Sequence, residues 1–163
     1  MKYYLAYGSN LNKAQMAYRC PDAVPVATAQ IPNYELVFRR GFLTIEPKKG
    51  AYVPVAVWQI SEQDEKNLDR YEGYPRFYYK KEFPIMLYGY ETSDDLKAGR
   101  KKVSEKVGTA MAYIMMDGHP IKEPSGTYYT TVRQGYIDFD FRHEDFERLW
   151  KAMDYARQKG VKA

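Results

Sequence analysis

Histidine and cysteine are nearly absent from this chain of 163 residues: His119, His143 and Cys20 are all it has. A single cysteine forms no internal disulfide and builds no multi-cysteine metal site. Two histidines far apart in sequence, one in a turn beside Pro120 and one at the start of a helical pattern, make a poor zinc set. They read as solvated or capping residues. The sequence contains no G-x-S-x-G elbow, no G-x-G-x-x-G and no P-loop, which argues against classical triads and nucleotide cofactors. No stretch of 18 apolar residues occurs. The segment Met1–Tyr7 is too short and too rich in tyrosine for a signal h-region. The default expectation is a reducing, cytoplasmic setting with no membrane partner. Any catalysis must then rest on carboxylates, tyrosines, hydroxyls and backbone groups, without metal or cofactor.

What the chain has in quantity is aromatic surface, with 17 tyrosines and 7 phenylalanines. Tyrosine carries a large apolar face and a polar tip, so it suits half-buried strands and cavity walls. The excess fits a β-rich domain with a polar-lined cavity, and also a carbohydrate-binding or interaction surface. The formal net charge is +4, and the lysines fall in scattered pairs such as Lys48-Lys49, Lys80-Lys81 and Lys101-Lys102. That pattern reads as a solvated surface rather than a nucleic-acid footprint.

Along the chain, Lys2–Tyr7 reads as a first strand that stops at a Gly-Ser-Asn turn. Asn12–Arg19 reads as a short helix, with Asn12 as N-cap, Gln15 three residues on, and Pro21 stopping the pattern. Val24–Gln30, Tyr34–Arg39, Phe42–Glu46 and Val53–Ile60 are β-like runs punctuated by Pro32, Gly41 and Pro47. Ser61–Tyr71 is a helix with Ser61 as N-cap, Asp64 at capping-box spacing and Gly73 after its end. Phe77–Leu87 and Val107–Met116 are two further strands. Residues 89–106 between them are polar and charged without periodicity, and read as a surface insertion. Tyr128–Val132 reads as a short extended segment. A closing helix spans His143–Lys159, with Phe146, Leu149, Trp150, Met153 and Ala156 as its core stripe. Seven or so strands with two short helices and one longer one give an α+β class, a small mixed barrel with peripheral helices over a single domain 1–163.

Two places hold chemistry. In Tyr7-Gly8-Ser9-Asn10-Leu11 a strand turns toward a helix, and its successive N–H groups form either a nest for a small carboxylate or simply a tight turn with a left-handed glycine. Ser9 has no histidine base nearby in sequence. In Asp69-Arg70-Tyr71-Glu72-Gly73 a carboxylate stands at a helix C-terminus, where partial negative charge disfavours it by ~0.3–1 kcal/mol. Glu72 is either an exposed residue on a fraying turn or a carboxyl with its pKa pushed above about 4.3, toward acid/base use.

Together the two motifs, with Arg19-Cys20-Pro21 between them and Phe77-Tyr78-Tyr79 after them, resemble the gamma-glutamylcyclotransferase superfamily. That group includes the gamma-glutamylamine cyclotransferases and a relative that unmasks an aminoglycoside antibiotic in butirosin biosynthesis. The similarity runs from Met1 to about Asp140. It implies a mixed barrel with a cavity where the first loop meets Glu72. It implies that Tyr7, Gly8, Ser9, Asn10 and Leu11 hold the alpha-carboxylate and amine of a gamma-glutamyl group, and that Glu72 is the acid/base. It points to Tyr78, six residues after the glutamate, as a cavity residue, with Tyr79 as its off-by-one rival. A Pro-x-x-x-Tyr context points to Tyr128. The implied activity is an amide-cleaving cyclotransferase, of acyltransferase or lyase class, releasing 5-oxoproline from a gamma-glutamyl amine or amino acid. The alternative is a non-catalytic small-molecule binding or interaction protein on the same fold.

Overall fold

In the computed structural model, residues 2–89 and 104–161 are described. The chain runs β1 (Lys2–Ala6), a 3-10 turn (Ser9–Leu11), α1 (Lys13–Arg19), β2 (Val24–Arg39), β3 (Phe42–Ile60), α2 (Glu62–Glu72), β4 (Tyr78–Gly89), β5 (Ser104–Met115), α3 (Gly126–Asp138) and α4 (His143–Lys159). The strands form one sheet in the order β2-β3-β1-β5-β4. β1 lies at its centre, antiparallel to β3 and parallel to β5. A central strand has both edges paired and both faces covered, which suits the unbroken apolar run Leu5-Ala6, neither residue exposed at all. Full burial of a side chain the size of Leu5 contributes about 1.5–3 kcal/mol by leaving water.

The α+β class is as the sequence implies, but the sheet is not closed into a barrel. Its edge strands β2 and β4 are not neighbours in the hydrogen-bonded order. They meet through side chains: Lys81 Nζ donates to the Tyr34 hydroxyl at 2.8 Å, and the Tyr34 and Phe83 rings stand edge to face. The strand count also differs. The runs expected at 24–30 and 34–39 are one strand, as are 42–46 and 53–60. Pro32 does not break β2; it sits at a register shift before Tyr34, with Asn33 at φ 61°. Edge strands and bulges tolerate a residue with no N–H. Pro47 and Pro54 lie in the part of β3 beyond its pairing with β1, which covers only Ala56–Ile60, so one edge there asks for no donor. Gly41 alone marks a true turn.

The helix ends follow the expected chemistry. Asn12 Oδ1 accepts from the Gln15 amide at 3.0 Å. Ser61 and Asp64 exchange both bonds of a capping box, and Gly73 closes α2 in the left-handed region at φ 68°. A Cβ on Gly73 would also lie 3.2 Å from that of Phe77. Helix α4 has the expected bounds, but its stripe is shifted. Leu149, Ala152, Met153 and Ala156 are buried, whereas Trp150 is half exposed. The expected extended segment at 128–132 is helical instead: Ser125 caps α3 by accepting from the Tyr128 amide at 3.1 Å. The β-prone Tyr and Thr residues hide that signal. Of the expected 89–106 insertion, Gly89 and Ser104 form the last pair of the β4–β5 ladder, and 90–103 lie outside the described residues.

Candidate active site

The strand β1 delivers Tyr7 to the edge of a cavity of about 490 Å³, a volume in the usual range for small-molecule sites. Tyr7, Gly8, Ser9 and Asn10 line one side, and Glu72 and Gly73 the other. Tyr78 and Tyr128 line it as well. Leu11 does not. It is fully buried, its amide bonds back to Gly8, and its side chain packs toward α3, so it belongs to the core rather than to the cavity. Strand alternation separates Tyr78 from its neighbour: Tyr78 is buried at the cavity and Tyr79 is exposed on the other face.

The turn is held from beneath. Trp58 Nε1 donates to the Asn10 carbonyl at 3.1 Å. Arg19, stacked 3.4 Å over the Tyr71 ring, donates to Asn10 Oδ1 and to Gln15 Oε1. With Oδ1 taken by a cation, the Asn10 amide nitrogen must face the cavity, where it donates to the Tyr4 hydroxyl at 2.9 Å and to Glu72 Oε1 at 3.4 Å. Ser9 Oγ and the Tyr71 hydroxyl are 2.9 Å apart, so Ser9 is engaged with a phenol rather than with a base. Neither histidine lines the cavity: His119 packs on Phe77, and His143 is exposed beside Glu147. Burial pushes the Cys20 thiol up to about 12, away from reactivity.

Gly8, at φ −118° and ψ −132°, is not in the left-handed region, and a Cβ there would lie 3.2 Å from the Tyr128 hydroxyl, tight against the cavity wall. The left-handed glycine that the sequence offered as a bland explanation is therefore not what the turn uses.

Burial raises the Glu72 carboxyl to about 7, against the opposing pull of the Arg19 guanidinium. Its site at the C-terminal end of α2 works in the same upward direction as burial. At neutral pH the group is thus shared between its two forms, the condition a proton shuttle needs. The phenols shift in the same direction. Burial, with the Glu72 charge adding to it, raises Tyr4, Tyr7 and Tyr78, and they stay protonated. Tyr7 donates its proton to the Tyr113 carbonyl and Tyr78 donates to the Leu43 carbonyl. Tyr128 instead accepts from the Leu43 amide at 3.2 Å, which leaves its own proton for the cavity. Lining residues without a sequence signal of this role include Tyr4, Arg40, Arg70 and Tyr113. Tyr4 and Tyr113 sit on the adjacent strands β1 and β5, and only the parallel pairing brings them together.

A family described as gamma-glutamyl cyclotransferase, AIG2-like, matches residues 4–130. Among solved structures, one named gamma-glutamyl cyclotransferase is 21% identical with a TM-score of 0.70, covering 96% of this chain and 98% of its own. The human protein loc79017 is 22% identical with a TM-score of 0.68, covering 91% and 86%. YkqA from Bacillus subtilis is 18% identical with a TM-score of 0.64 and aligns over 94% of this chain but only 54% of its own length. At these identities the likeness is one of fold. No curated protein matches the chain.

Proposed function

Because the chain belongs to the gamma-glutamyl cyclotransferase, AIG2-like family, we propose that it is a gamma-glutamyl cyclotransferase that releases 5-oxoproline and a free amine, with Glu72 as acid and base. The observation that carries this reading is the pairing of a half-protonated carboxyl with the Gly8–Asn10 turn across one cavity, bridged by the Asn10 amide at 3.4 Å.

In this reading the amides of Ser9 and Asn10, which open a 3-10 turn and have no acceptor within it, receive the alpha-carboxylate of the substrate. Tyr7 and Tyr78 spend their protons inside the protein and serve as walls. Glu72 takes a proton from the substrate's ammonium. The freed amine attacks the gamma-carbonyl carbon, forming the ring C–N bond and placing negative charge on oxygen, toward which the Tyr128 hydroxyl can donate. Glu72 then returns the proton to the leaving nitrogen as the old C–N bond breaks, and takes the second proton of the ring nitrogen, which passes to the released amine as it departs as an ammonium. Nucleophile and electrophile share one molecule, so orientation alone can supply several kcal/mol, on the order of 7–11 at best. The protein needs no covalent nucleophile.

The pH dependence tests this assignment. The base form of Glu72 is lost as pH falls through about 7, so kcat/KM should fall about tenfold per pH unit below roughly pH 6 and level off above 7. Steady-state rates of 5-oxoproline release between pH 5 and 8.5 check it. A flat profile across that range would remove Glu72 from the proton transfers.

A further inference from the structure

The mechanism uses one charged residue of the cavity, yet two arginines, Arg40 and Arg70, line the same cavity. Arg40 is the more telling. It is the first residue of the two-residue turn between β2 and β3: Arg39 and Phe42 form the last pair, Arg40 has φ 55° and Gly41 has φ 85°. A turn with both central residues left-handed favours asparagine and glycine in that order, and a long side chain at the first position works against the backbone. The arginine is there in spite of the local preference. Its guanidinium stands 5.2 Å from the centre of the Phe77 ring. Arg70 lies in the last turn of α2, where the helix dipole already favours a cation, so alone it signals little.

Neither guanidinium has a carboxylate partner among the described residues. Glu72 is the sole acidic residue lining the cavity among them. Phe42 and Phe77, edge to face with centroids 6.2 Å apart, add apolar wall beside the arginines. The chemistry is that of a second anion site over aromatic surface. The gamma-glutamyl carboxylate is already provided for at the Ser9–Asn10 amides, so the second anion belongs to the other end of the substrate.

We propose that Arg40 and Arg70 bind a carboxylate carried by the leaving amine, which makes them specificity determinants for gamma-glutamyl amino acids over neutral or cationic gamma-glutamyl amines. The inference rests on the cyclotransferase reading. It deepens that reading by naming the substrate class.

The test compares gamma-glutamylalanine with gamma-glutamylalaninamide, which share the glutamyl half and differ only in the distal charge. Wild-type kcat/KM should favour the free acid by about 10- to 100-fold, the range that charge-assisted hydrogen bonds supply. Arg40→Asn suits the turn better than arginine does, so its melting temperature should hold or rise. That variant, and Arg70→Gln at an exposed helix position, should each cut the acid-to-amide ratio several-fold, mainly through KM. The double variant should bring the ratio near one. A wild-type ratio near one would overturn the proposal while leaving the cyclotransferase reading intact. Variants that depress both substrates equally would also overturn it, since the arginines would then serve the glutamyl half or the fold. Titration of the same two ligands into Glu72→Gln separates the two readings. If neither ligand is turned over by wild type, tighter binding of the acid that Arg40→Asn abolishes keeps the arginine assignment and refutes the reaction. Equal binding refutes both.

Discussion

Replacing Glu72 by glutamine should lower the release of 5-oxoproline from gamma-glutamylalanine by roughly 10²–10⁴-fold, the range lost when a general acid/base is removed. Glutamine keeps the size of the side chain and an acceptor for the Asn10 amide nitrogen, 3.4 Å away. It cannot take the ammonium proton. Ligand binding should therefore persist, so the loss falls on kcat. The same variant has a second readout that a purely structural role would not produce. A carboxyl raised from 4.5 to about 7 by burial favours the folded state in its protonated form. That contribution is whole below about pH 4.5 and is lost as pH rises through 7. Glutamine cannot ionise and keeps it. The full shift corresponds to about 3 kcal/mol, and partial exposure of the residue lowers the expectation to roughly 1–2 kcal/mol. At about 2–4 °C per kcal/mol for a chain of this length, Glu72→Gln should melt several degrees above wild type at pH 8 and level with it at pH 4. An active site that costs stability to hold its acid would explain both results. Unchanged turnover in the variant would overturn the mechanism.

Gly135→Ala should damage the fold and the site together. Gly135 lies inside α3, where alanine would ordinarily gain up to about 1 kcal/mol over glycine. Here the new Cβ would overlap the Cβ and carbonyl carbon of Leu11 and lie 2.7 Å from the Asn12 amide nitrogen. Two of these three atoms are backbone and have no rotamer to escape into. The helix must retreat or the Ser9–Leu11 turn must move. Asn12 Nδ2, bonded to the Thr131 carbonyl at 3.2 Å, and the Lys13 amide, bonded to Asp138 at 3.0 Å, tie the two together. We expect a net loss of about 1–3 kcal/mol from overpacking, read as a drop of roughly 2–10 °C in melting temperature. Displacing the turn by about 1 Å would also cost on the order of 10²-fold in kcat/KM. Gly126, first residue of the same helix, has nothing within 4 Å of its would-be Cβ. Gly126→Ala is the control and should be neutral by both measures. Equal behaviour of the two variants would show that α3 does not set the position of the turn.

The sequence makes the ends of α1 and α2 legible because their signals are local: Asn12, the Ser61-Asp64 box and Gly73 act within a few residues of themselves. It misreads the middle of the sheet for the same reason. Pro32 and Pro47 look like breaks to a local reading, and only the pairing partners reveal that no donor is missed there. At Tyr128 two local signals compete, β-prone composition and the Ser125 cap, and packing against Leu11 favours the helix. The two halves of the site are visible as motifs, yet 62 residues separate Asn10 from Glu72, and no local rule joins them. The resemblance places Leu11 in the cradle; the 3-10 turn rotates it into the core. Arg40 carries no local signal, since the turn before Gly41 specifies backbone geometry and not the side chain that geometry carries.

In the proposed reaction the substrate's own amine, and not water, attacks the gamma-carbonyl. Turnover of gamma-glutamylalanine by the wild-type protein in water enriched in ¹⁸O, followed by mass spectrometry of the products, tests it directly. Ring closure uses no water, so unlabelled 5-oxoproline and one equivalent of alanine are expected. Glutamate carrying one ¹⁸O in its gamma-carboxylate would mean hydrolysis and would contradict it.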